Sequence, residues 1–433
     1  MKLYNSLGLT IAILLILIIS TFILKPTWHI GSDGFGYYSY ARSLIFDHNL
    51  DLNNEFSMFD HLYGSHTLQQ WHTTINKTGN PFAVGASILW SPFILLAIAL
   101  QAIGHFPDHY ALVGYNTPFE TLLTLGTWLY SLIGLLAVFW ALAQLGNRKI
   151  AWWATILIVL CSPLLYYLLY EPSMSHALSF SASSLLFALT IYLKKKNYLD
   201  LKDYLFLGFL IGGCFILRWQ DIIFAFFPLI FLASLIFSVT KRQLALNGLT
   251  TLAGFLLIAW PQFAVWKYLY GSWIAIPQGS GFFQLTHPHL FSFFFSGYHG
   301  LFIINPLLIL GTVGLIITYR KNHRLALSLL VVLSLQIYIN SALSDWYGGG
   351  SFGARRMISS LFIFAVGFAS FLESIKNKKL RLRLAITIFA LAVIFNILLI
   401  MSYARQIIPI NKPTTISQVY VAPFTLIRDY LKR

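Results

Sequence analysis

Apolar runs of about twenty residues recur along this chain, and each can cross the roughly 30 Å hydrocarbon layer of a membrane as a helix. Of the 433 residues, 58% are hydrophobic and only 10% are charged. A soluble protein usually carries about 25% charged residues. The pattern therefore predicts an all-α polytopic membrane protein, and it excludes a soluble globular domain of this size.

Basic residues occur in short clusters between the apolar runs, and they dominate a formal net charge of +15. Such clusters mark the cytoplasmic loops of membrane proteins. They therefore indicate orientation, and nucleic acid is not an expected partner. The clusters are Arg148 with Lys149, residues 194–196, Lys241 with Arg242, residues 320–324 and residues 376–383.

Placing every basic cluster in the cytoplasm predicts about eleven transmembrane helices in a single domain, residues 1–433. The first run, residues 7–24, lacks a small-residue cleavage site and is expected to be an uncleaved anchor. Residues 25–116 then form a long outer first loop with interfacial helices. Residues 403–433 form an outer C-terminal tail. Because the inner loops are short, we expect the chemistry on the outer face.

One apolar run, residues 82–103, does not fit this count. It is long enough to span, yet counting it as a span would put Arg148 and Lys149 on the outer side. It also contains Pro92. We therefore interpret it as a re-entrant or interfacial helix on the outer side.

Asp33 lies between glycines, in Gly31-Ser32-Asp33-Gly34, directly after the first apolar run. A carboxylate at a membrane boundary is costly unless it is solvated, paired or functional. One interpretation is a helix cap, since Ser, Asp and Gly are favoured there. The other is a functional acid, because the flanking glycines let a ligand approach closely. The tyrosines that follow, at helical spacing over residues 36–46, predict an amphipathic helix at headgroup level.

Glu171 precedes Pro172 in a short outer loop, with His176 about one helical turn further on. The acid either caps the next helix or supplies a second carboxylate beside Asp33. Paired carboxylates of this kind hold a divalent cation or carry out acid–base chemistry. Asp33, Glu171 and His176 are therefore the candidate ligands for a metal.

The segment 345–356 has the clearest pattern for binding an anion. Its four glycines expose backbone N–H groups, and Arg355 and Arg356 open the next helix; phosphate suits such a site. Arginines at an outer helix end oppose the positive-inside pattern, which favours function over topology. Arg218, which can instead pair with Asp221, and Lys77 are further candidates for contacting phosphate.

Polar and aromatic side chains of the predicted outer loops form a mixture that is common on sugar-binding surfaces. The candidates for binding substrate are Tyr37, His72, His176, His299 and Trp346.

The order and sidedness of these motifs resemble the GT-C superfamily of polyprenyl-phosphate-sugar-dependent glycosyltransferases, in its family 39-like and protein mannosyltransferase-like branch. The matching features are the acid after the first span, the long first loop, and the runs at residues 171–176 and 346–356. The resemblance implies a GT-C-like helical bundle. It also implies that Asp33 is the catalytic base, that Glu171 serves metal or acceptor, and that Arg355 and Arg356 hold the donor phosphate.

In two respects the chain departs from the oligosaccharyltransferases of that superfamily. It lacks a paired-acid motif in the second outer loop and a large outer C-terminal domain. The departures argue against protein N-glycosylation and leave the need for a divalent cation open.

The expected activity is the transfer of a hexose or pentose from a polyprenyl phosphate to an acceptor hydroxyl, with inversion. The expected location is the outer face of a bacterial plasma membrane, and the acceptor is a glycan, a lipid or a protein. The alternative is a lipid or solute transporter or flippase. That alternative predicts charges within spans or matching broken helices in two halves.

Overall fold

The computed structural model describes residues 2–108 and 112–432. Within these residues the fold is helical, and strand pairing is limited to two isolated bridges, His72 with Thr78 and Phe283 with Leu343. In the described part of the chain, eight helices are long and apolar enough to cross a membrane. The prediction of an all-α polytopic membrane protein is therefore confirmed.

The elements follow one another as helices of very different length. The α-helices of 17 residues or more are Lys2–Leu24, Gly85–Ile103, Thr117–Leu145, His176–Leu193, Leu201–Leu217, Lys241–Tyr270, His323–Ser341 and Lys378–Ala404. The eight of membrane length include the continuous segment Arg355–Ser374 and not Leu201–Leu217. The shorter α-helices are Asp33–Arg42, Asn53–Tyr63, Thr67–Gln70, Arg148–Leu160, Leu164–Leu169, Phe226–Phe231, Ala233–Ile236, Leu290–Phe295, Leu301–Ile304, Leu308–Lys321, Leu361–Ser374 and Ile416–Leu431. Short 3-10 helices are Trp219–Ala225, Ser280–Phe282 and Arg355–Ser360, and a π-helical turn is Ser43–Asp47.

Several of the predicted spans are interrupted. The apolar run of residues 150–169, which we expect to be one span, breaks between Leu160 and Leu164, and the similar run of residues 301–319 breaks at Asn305. A proline follows at each break, Pro163 and Pro306. Because proline lacks an N–H donor and its ring clashes with the preceding turn, it interrupts a helix.

At the first of these breaks, a buried asparagine donates hydrogen bonds to the carbonyl groups that the break leaves without helical partners. The amide nitrogen of Asn396 donates to the carbonyl oxygens of Leu160, at 2.8 Å, and Ser162, at 3.2 Å. Carbonyls freed by a helix break inside a membrane protein need such internal partners. The break is therefore a stable part of the bundle.

Glycines allow two pairs of helices to pack closely. A Cβ atom on Gly314 would lie 1.8 Å from the carbonyl oxygen of Gly367, and one on Gly208 would lie 2.1 Å from that of Thr251. Close approach at small residues is the usual way in which helices associate in membranes. These contacts join Leu308–Lys321 to Leu361–Ser374 and Leu201–Leu217 to Lys241–Tyr270.

The two ends of the bundle differ. We call the end that carries residues 25–84, 170–175, 218–221 and 344–356 the loop-rich end. At the opposite end Glu373 accepts from the backbone N–H of Asn147 at 2.9 Å and pairs with Lys321 at 3.1 Å. The predicted basic clusters lie towards that opposite end, away from Asp33.

The helix Gly85–Ile103 has neighbours from other segments near both of its termini. Gly85 packs against the backbone of Ile216. Beyond the other terminus, Asp108 accepts a hydrogen bond of 2.9 Å from Asn116. By length and composition the helix also fits a membrane span, so its interpretation as re-entrant or interfacial stays a prediction.

The helix after Asp33 is buried within the protein. It covers Asp33–Arg42, and Tyr37, Tyr38 and Tyr40 are all buried. These tyrosines therefore pack against protein and not against lipid headgroups, while the depth of their helix in the membrane stays a prediction. Other segments of the first loop and Gly85–Ile103 cover both faces of the helix, which the sequence pattern did not reveal.

Candidate functional site

A cavity of about 370 Å³ lies at the loop-rich end. Five segments that are far apart in the sequence contribute to it: the start of the Asp33–Arg42 helix, residues 81–83, the 217–223 turn, the 275–283 loop and the start of Arg355–Ser360. Its charged and polar lining residues are Asp33, Tyr37, His176, Arg218, Gln220, Gln278, Arg355 and Arg356. Three arginines and one carboxylate thus face a common space.

Asp33 and Arg355 form an ion pair on the wall of this cavity. The distance from Nη2 of Arg355 to Oδ2 of Asp33 is 2.7 Å, and the side chains are 8% and 30% exposed. Asp33 is the first residue of its helix, and the preceding Ser32 makes no side-chain capping bond. The Asp33 side chain therefore binds Arg355 across the cavity wall, which goes beyond a capping role.

The glycine-rich segment before Arg355 is inserted into the bundle. Gly348, Gly349 and Gly353 have positive φ values, of 81°, 68° and 61°, which side chains other than glycine rarely adopt. A Cβ atom on Gly353 would come within 3.2 Å of Pro163 and 3.1 Å of Asn305. The segment thus lies against both helix breaks, and this position carries Arg355 to the cavity.

Two further contacts hold this region. The backbone N–H of Phe352 donates to the hydroxyl of Tyr167 at 3.1 Å, and Nη1 of Arg355 lies 3.0 Å from the sulfur of Met174. Within the described part of the chain, the buried Nε atom of Arg355 has no hydrogen-bond partner. The guanidinium group therefore has donors left for a ligand.

Glu171 lies close enough to Asp33 and Arg355 for both charges to affect its pKa. Burial raises the pKa of Glu171 to about 7, the Arg355 charge opposes this rise, and the Asp33 charge adds to it. Its turn is fixed by the backbone, since the N–H of Met174 donates to the Glu171 carbonyl at 3.1 Å. Glu171 does not itself line the cavity. Glu171 is therefore a partly buried acid whose pKa lies near neutral pH and whose charge acts on the ion pair from outside the cavity lining.

Arg218 is held between a histidine and a buried carboxylate. Its Nη1 donates to Nδ1 of His176, and its Nε is 4.0 Å from Oδ2 of Asp221. Asp221 is fully buried and accepts hydrogen bonds from Ser179, from Gln336 at 3.0 Å and from Ser359 at 3.2 Å. The sequence left two interpretations of Arg218 open, an ion pair with Asp221 and a contact with phosphate. The structure shows the ion pair only as this long contact, and it also places Arg218 in the cavity lining.

Arg356 is bound more completely to its own loop. It donates to the backbone carbonyl of Asp345 at 2.7 Å and to the Asp345 carboxylate at 2.6 Å. Both of its terminal nitrogens are therefore occupied. Neighbouring arginines in the sequence thus have different partners and different freedom to bind a ligand.

Tyr37 and His176 also line the cavity, but Lys77 and the remaining candidates for binding substrate lie elsewhere. The amine of Lys77 lies 3.1 Å from the centre of the Tyr268 ring. His72 bonds to Asn76 at 2.7 Å. His299 faces the carbonyl of Ile410 at 3.3 Å, and Trp346 lies beside His289. In the part of the chain that the structure describes, the cavity therefore contains only some of the residues that the sequence predicted to bind substrate or phosphate.

One wall of the cavity is apolar and aromatic, and none of its residues except those next to Arg218 was marked by a sequence motif. Its large members are Trp219, Trp266, Phe282 and Phe283. Trp219 directly follows Arg218, and Phe282 and Phe283 lie in the glycine-bearing loop after Lys241–Tyr270. The sequence therefore did contain a sign of this wall, namely aromatic residues next to a candidate phosphate-binding arginine and in a predicted outer loop. The wall is a suitable surface for hydrocarbon beside three cations.

The predicted metal set is not assembled as a ligand group. Among the described residues, no three or more His, Cys, Asp or Glu side chains lie close enough together to hold a metal ion. Asp33 Oδ2 contacts Arg355, and His176 Nδ1 accepts from Arg218. Two of the three proposed ligands thus already bind cationic side chains, and a metal role for the set stays a prediction.

Comparison of the sequence with known proteins finds no match, either to a protein family model or to a curated protein. The fold, by contrast, matches solved structures. An archaeal oligosaccharyltransferase AglB from Archaeoglobus fulgidus, in complex with an inhibitory peptide and a dolichol-phosphate, superposes with a TM-score of 0.56 at 15% identity. The match covers 93% of this chain and 56% of that one, so this chain spans about half the length of AglB.

ArnT from Cupriavidus metallidurans, bound to undecaprenyl phosphate, superposes with a TM-score of 0.55 at 11% identity. The match covers 98% of this chain and 76% of ArnT. At such low identities the likeness concerns the fold.

Proposed function

We propose, from the premise that this chain has the GT-C fold of membrane glycosyltransferases, that it transfers a sugar from a polyprenyl phosphate to an acceptor hydroxyl. The observation that carries the proposal is the Asp33–Arg355 ion pair, 2.7 Å long, on the wall of a cavity that also presents Arg218 and an aromatic surface. A base, phosphate-binding cations and a surface for hydrocarbon are the three parts that such a transfer requires.

The arginines supply the charge that a leaving phosphate needs. As the sugar–phosphate bond breaks, negative charge grows on the phosphate oxygens, and fixed cations stabilise it best where water is excluded. Arg355 has an unpaired Nε, and the nearest carboxylate to Arg218 is 4.0 Å away. These two arginines are therefore the proposed contacts of the donor phosphate. Arg356 is less available, because it donates hydrogen bonds to Asp345.

The prenyl chain of the donor would lie along the aromatic wall. Trp219, Trp266, Phe282 and Phe283 border the cavity beside Arg218. Burying apolar chain against such side chains is favourable, at about 25 cal/mol per Å². A lipid-linked phosphate therefore matches this site better than a soluble sugar phosphate does.

Asp33 is the proposed general base. Its carboxylate takes the proton of the acceptor hydroxyl while that oxygen attacks the anomeric carbon from the face opposite the phosphate. The new glycosidic bond forms as the bond to the phosphate oxygen breaks, and the phosphate leaves with the electron pair. One displacement inverts the anomeric configuration, and a positioned base contributes typically about 10² to 10⁴ in rate.

A divalent cation fits the predicted ligands poorly, because Arg355 and Arg218 occupy atoms of Asp33 and His176. Divalent cations need several free oxygen ligands, and only Glu171 of this set has no such cationic contact of its own. The proposed reaction therefore has no step through a metal. We expect transfer to persist after treatment with EDTA.

The proposed place of the reaction is the outer face of a bacterial plasma membrane. The support is that the basic clusters lie away from the cavity end, as the positive-inside pattern requires of cytoplasmic loops. The proposed acceptor is a hydroxyl of a glycan, a lipid or a protein. The proposed sugar is a hexose or a pentose.

The test is transfer by the purified full-length protein in lipid nanodiscs. The protein is incubated with a panel of polyprenyl-phosphate hexoses and pentoses, and released polyprenyl phosphate is measured. We expect release from at least one donor, with Asp33→Asn lowering it by about 10² or more. Asp429→Asn, at an exposed residue paired with Arg428, is the control and should be active.

Two results would contradict the proposal. Full activity of Asp33→Asn would remove the assignment of the base. Release from no donor, together with movement of a labelled lipid phosphate across a vesicle bilayer, would favour the transport alternative.

A further inference from the structure

We infer that Arg355 binds Asp33 and the donor phosphate in competition, so that donor binding releases Asp33 for the acceptor. This inference rests on the proposed function, since it takes a lipid-linked phosphate as the donor. It adds an order of binding, donor before acceptor.

The bonding of Arg355 leaves it open to a second anion. Its Nη2 contacts Asp33 at 2.7 Å, and its Nη1 faces the sulfur of Met174 at 3.0 Å. Sulfur of a thioether is a weak acceptor, and the Nε atom has no partner in the described part of the chain. Phosphate oxygens accept two parallel bonds from a guanidinium group, so a phosphate in the cavity would bind Arg355 strongly.

The other two cavity arginines are bound differently. Arg356 uses both terminal nitrogens on Asp345, one of them on the backbone carbonyl at 2.7 Å. The acid nearest to Arg218, Asp221, is fully buried and has three other donors. Among these three described arginines, only Arg355 is paired with a carboxylate that itself lines the cavity. Competition between ligand and carboxylate is therefore specific to the Asp33–Arg355 pair.

The pairing matters for chemistry because it lowers the availability of Asp33. Oδ2, one of the two carboxylate oxygens of Asp33, already accepts from Arg355, so fewer of its acceptor sites are left for the hydroxyl of the acceptor. When a phosphate draws Arg355 away, Oδ2 of Asp33 is released for the acceptor hydroxyl.

Glu171 competes only weakly for Arg355. Burial raises its pKa to about 7, so near neutral pH it is in part uncharged. An uncharged acid binds a guanidinium group less well than an ionised one. Asp33 is therefore the anion that the donor phosphate has to displace.

Thermodynamic reciprocity gives the test. If phosphate weakens the bond between Asp33 and Arg355, removing the Asp33 charge must strengthen phosphate binding by the same factor. The probe is undecaprenyl phosphate, titrated at pH 7 into the full-length protein in nanodiscs. We expect Asp33→Asn to bind it about tenfold more tightly than the unsubstituted protein, within the 5- to 150-fold range of such couplings.

A double-mutant cycle separates competition from a general charge effect. In an Arg355→Gln background, Asp33→Asn should not increase the affinity for undecaprenyl phosphate, because the cation for which the two anions compete is absent. Asp345→Asn is the matched control. It also removes one carboxylate from a cavity arginine, but Arg356 keeps its bond to the backbone carbonyl, so we expect a much smaller gain.

The outcomes are distinct. Equal affinity of the unsubstituted protein and Asp33→Asn overturns the competition while leaving the proposed transfer intact. A gain that persists without Arg355, or that Asp345→Asn matches, also overturns it. Binding to none of the variants overturns both the competition and the lipid-phosphate donor. Asp33→Ser provides the same comparison if Asp33→Asn fails to fold, as judged by elution and thermal unfolding.

Discussion

Gly34 and Ser173 lie in contact so close that no side chain fits between them. A Cβ atom on Gly34 would be 2.1 Å from the Ser173 hydroxyl oxygen and 3.0 Å from its carbonyl oxygen. Gly34 follows Asp33, and Ser173 lies in the turn that carries Glu171 and Met174. This contact therefore sets the distance between the two segments that meet at Arg355.

Gly34→Ala should lower transfer strongly by pushing the Asp33 helix away from the 170–175 turn. Small displacements of reacting groups cost about 10² in rate, so we expect a loss of about that size. Gly31→Ala is the matched control, since its Cβ would meet only Tyr63 at 3.7 Å. Comparable losses in both variants, measured as released polyprenyl phosphate, would contradict a spacing role for Gly34.

The ionisation of Glu171 should make binding of undecaprenyl phosphate depend on pH. Because burial raises the pKa of Glu171 to about 7, the group is mostly neutral below that pH and charged above it. The charge repels the phosphate and competes for Arg355. We therefore expect affinity to fall by about tenfold as the pH rises from about 6 to 8.

Glu171→Gln isolates this effect. It should remove the fall in affinity, while any titration of the phosphate itself remains in both proteins. An identical pH profile for the two proteins would show that Glu171 does not act on the ligand.

Arg218 should contribute to donor binding, whereas Lys77 should not. Arg218→Lys keeps the charge but loses the planar group that contacts His176, so we expect the donor KM to rise about tenfold or more. The Lys77 amine lies over Tyr268 outside the cavity, and Lys77→Gln should change KM by less than about twofold. A reversed order of the two effects would place the phosphate in the first loop instead.

A buried charge cluster should hold the first loop together. Arg42 is 4% exposed and binds Asp47, the buried Glu55 at 3.1 Å and the carbonyl of Val113 at 3.2 Å. Removing one partner from a buried pair leaves the other uncompensated, at a cost of about 3–5 kcal/mol. Arg42→Ala should therefore lower the Tm clearly.

The control for this prediction is Lys202→Ala. Lys202 pairs with Asp200 at 3.6 Å, and both side chains are exposed. Exposed pairs contribute about 0–1 kcal/mol. Thermal unfolding in the same detergent should separate the two variants, and equal Tm values would contradict a structural role for Arg42.

The sequence was sufficient for the fold class because hydropathy and charge are averaged over whole segments. Counting the basic clusters placed Asp33, Glu171 and Arg355 at one end of the bundle, and the structure brings them close together. The pairing of the arginines was not predictable in this way. Arg355 and Arg356 are neighbours, yet one binds Asp33 and the other Asp345, which depends on the direction of each side chain in the fold.

The first loop shows a second limit of the sequence. Helical spacing correctly indicated a helix near Tyr37 and Tyr40, but not what would cover it. Ser87 on the helix Gly85–Ile103 accepts from the backbone N–H of Ala41 at 3.0 Å, and such tertiary contacts bury both faces. A periodic pattern gives the orientation of a face but does not identify the segment that packs on it.

The insertion of Gly353 between the breaks at Pro163 and Asn305 has a consequence for the membrane around the protein. The arginine loop packs against two interrupted helices, so a tilt of either helix would also displace the loop. Helices respond to bilayer thickness by tilting. We therefore expect the separation of Asp33 and Arg355, and with it the transfer rate, to respond to the acyl-chain length of the surrounding lipid.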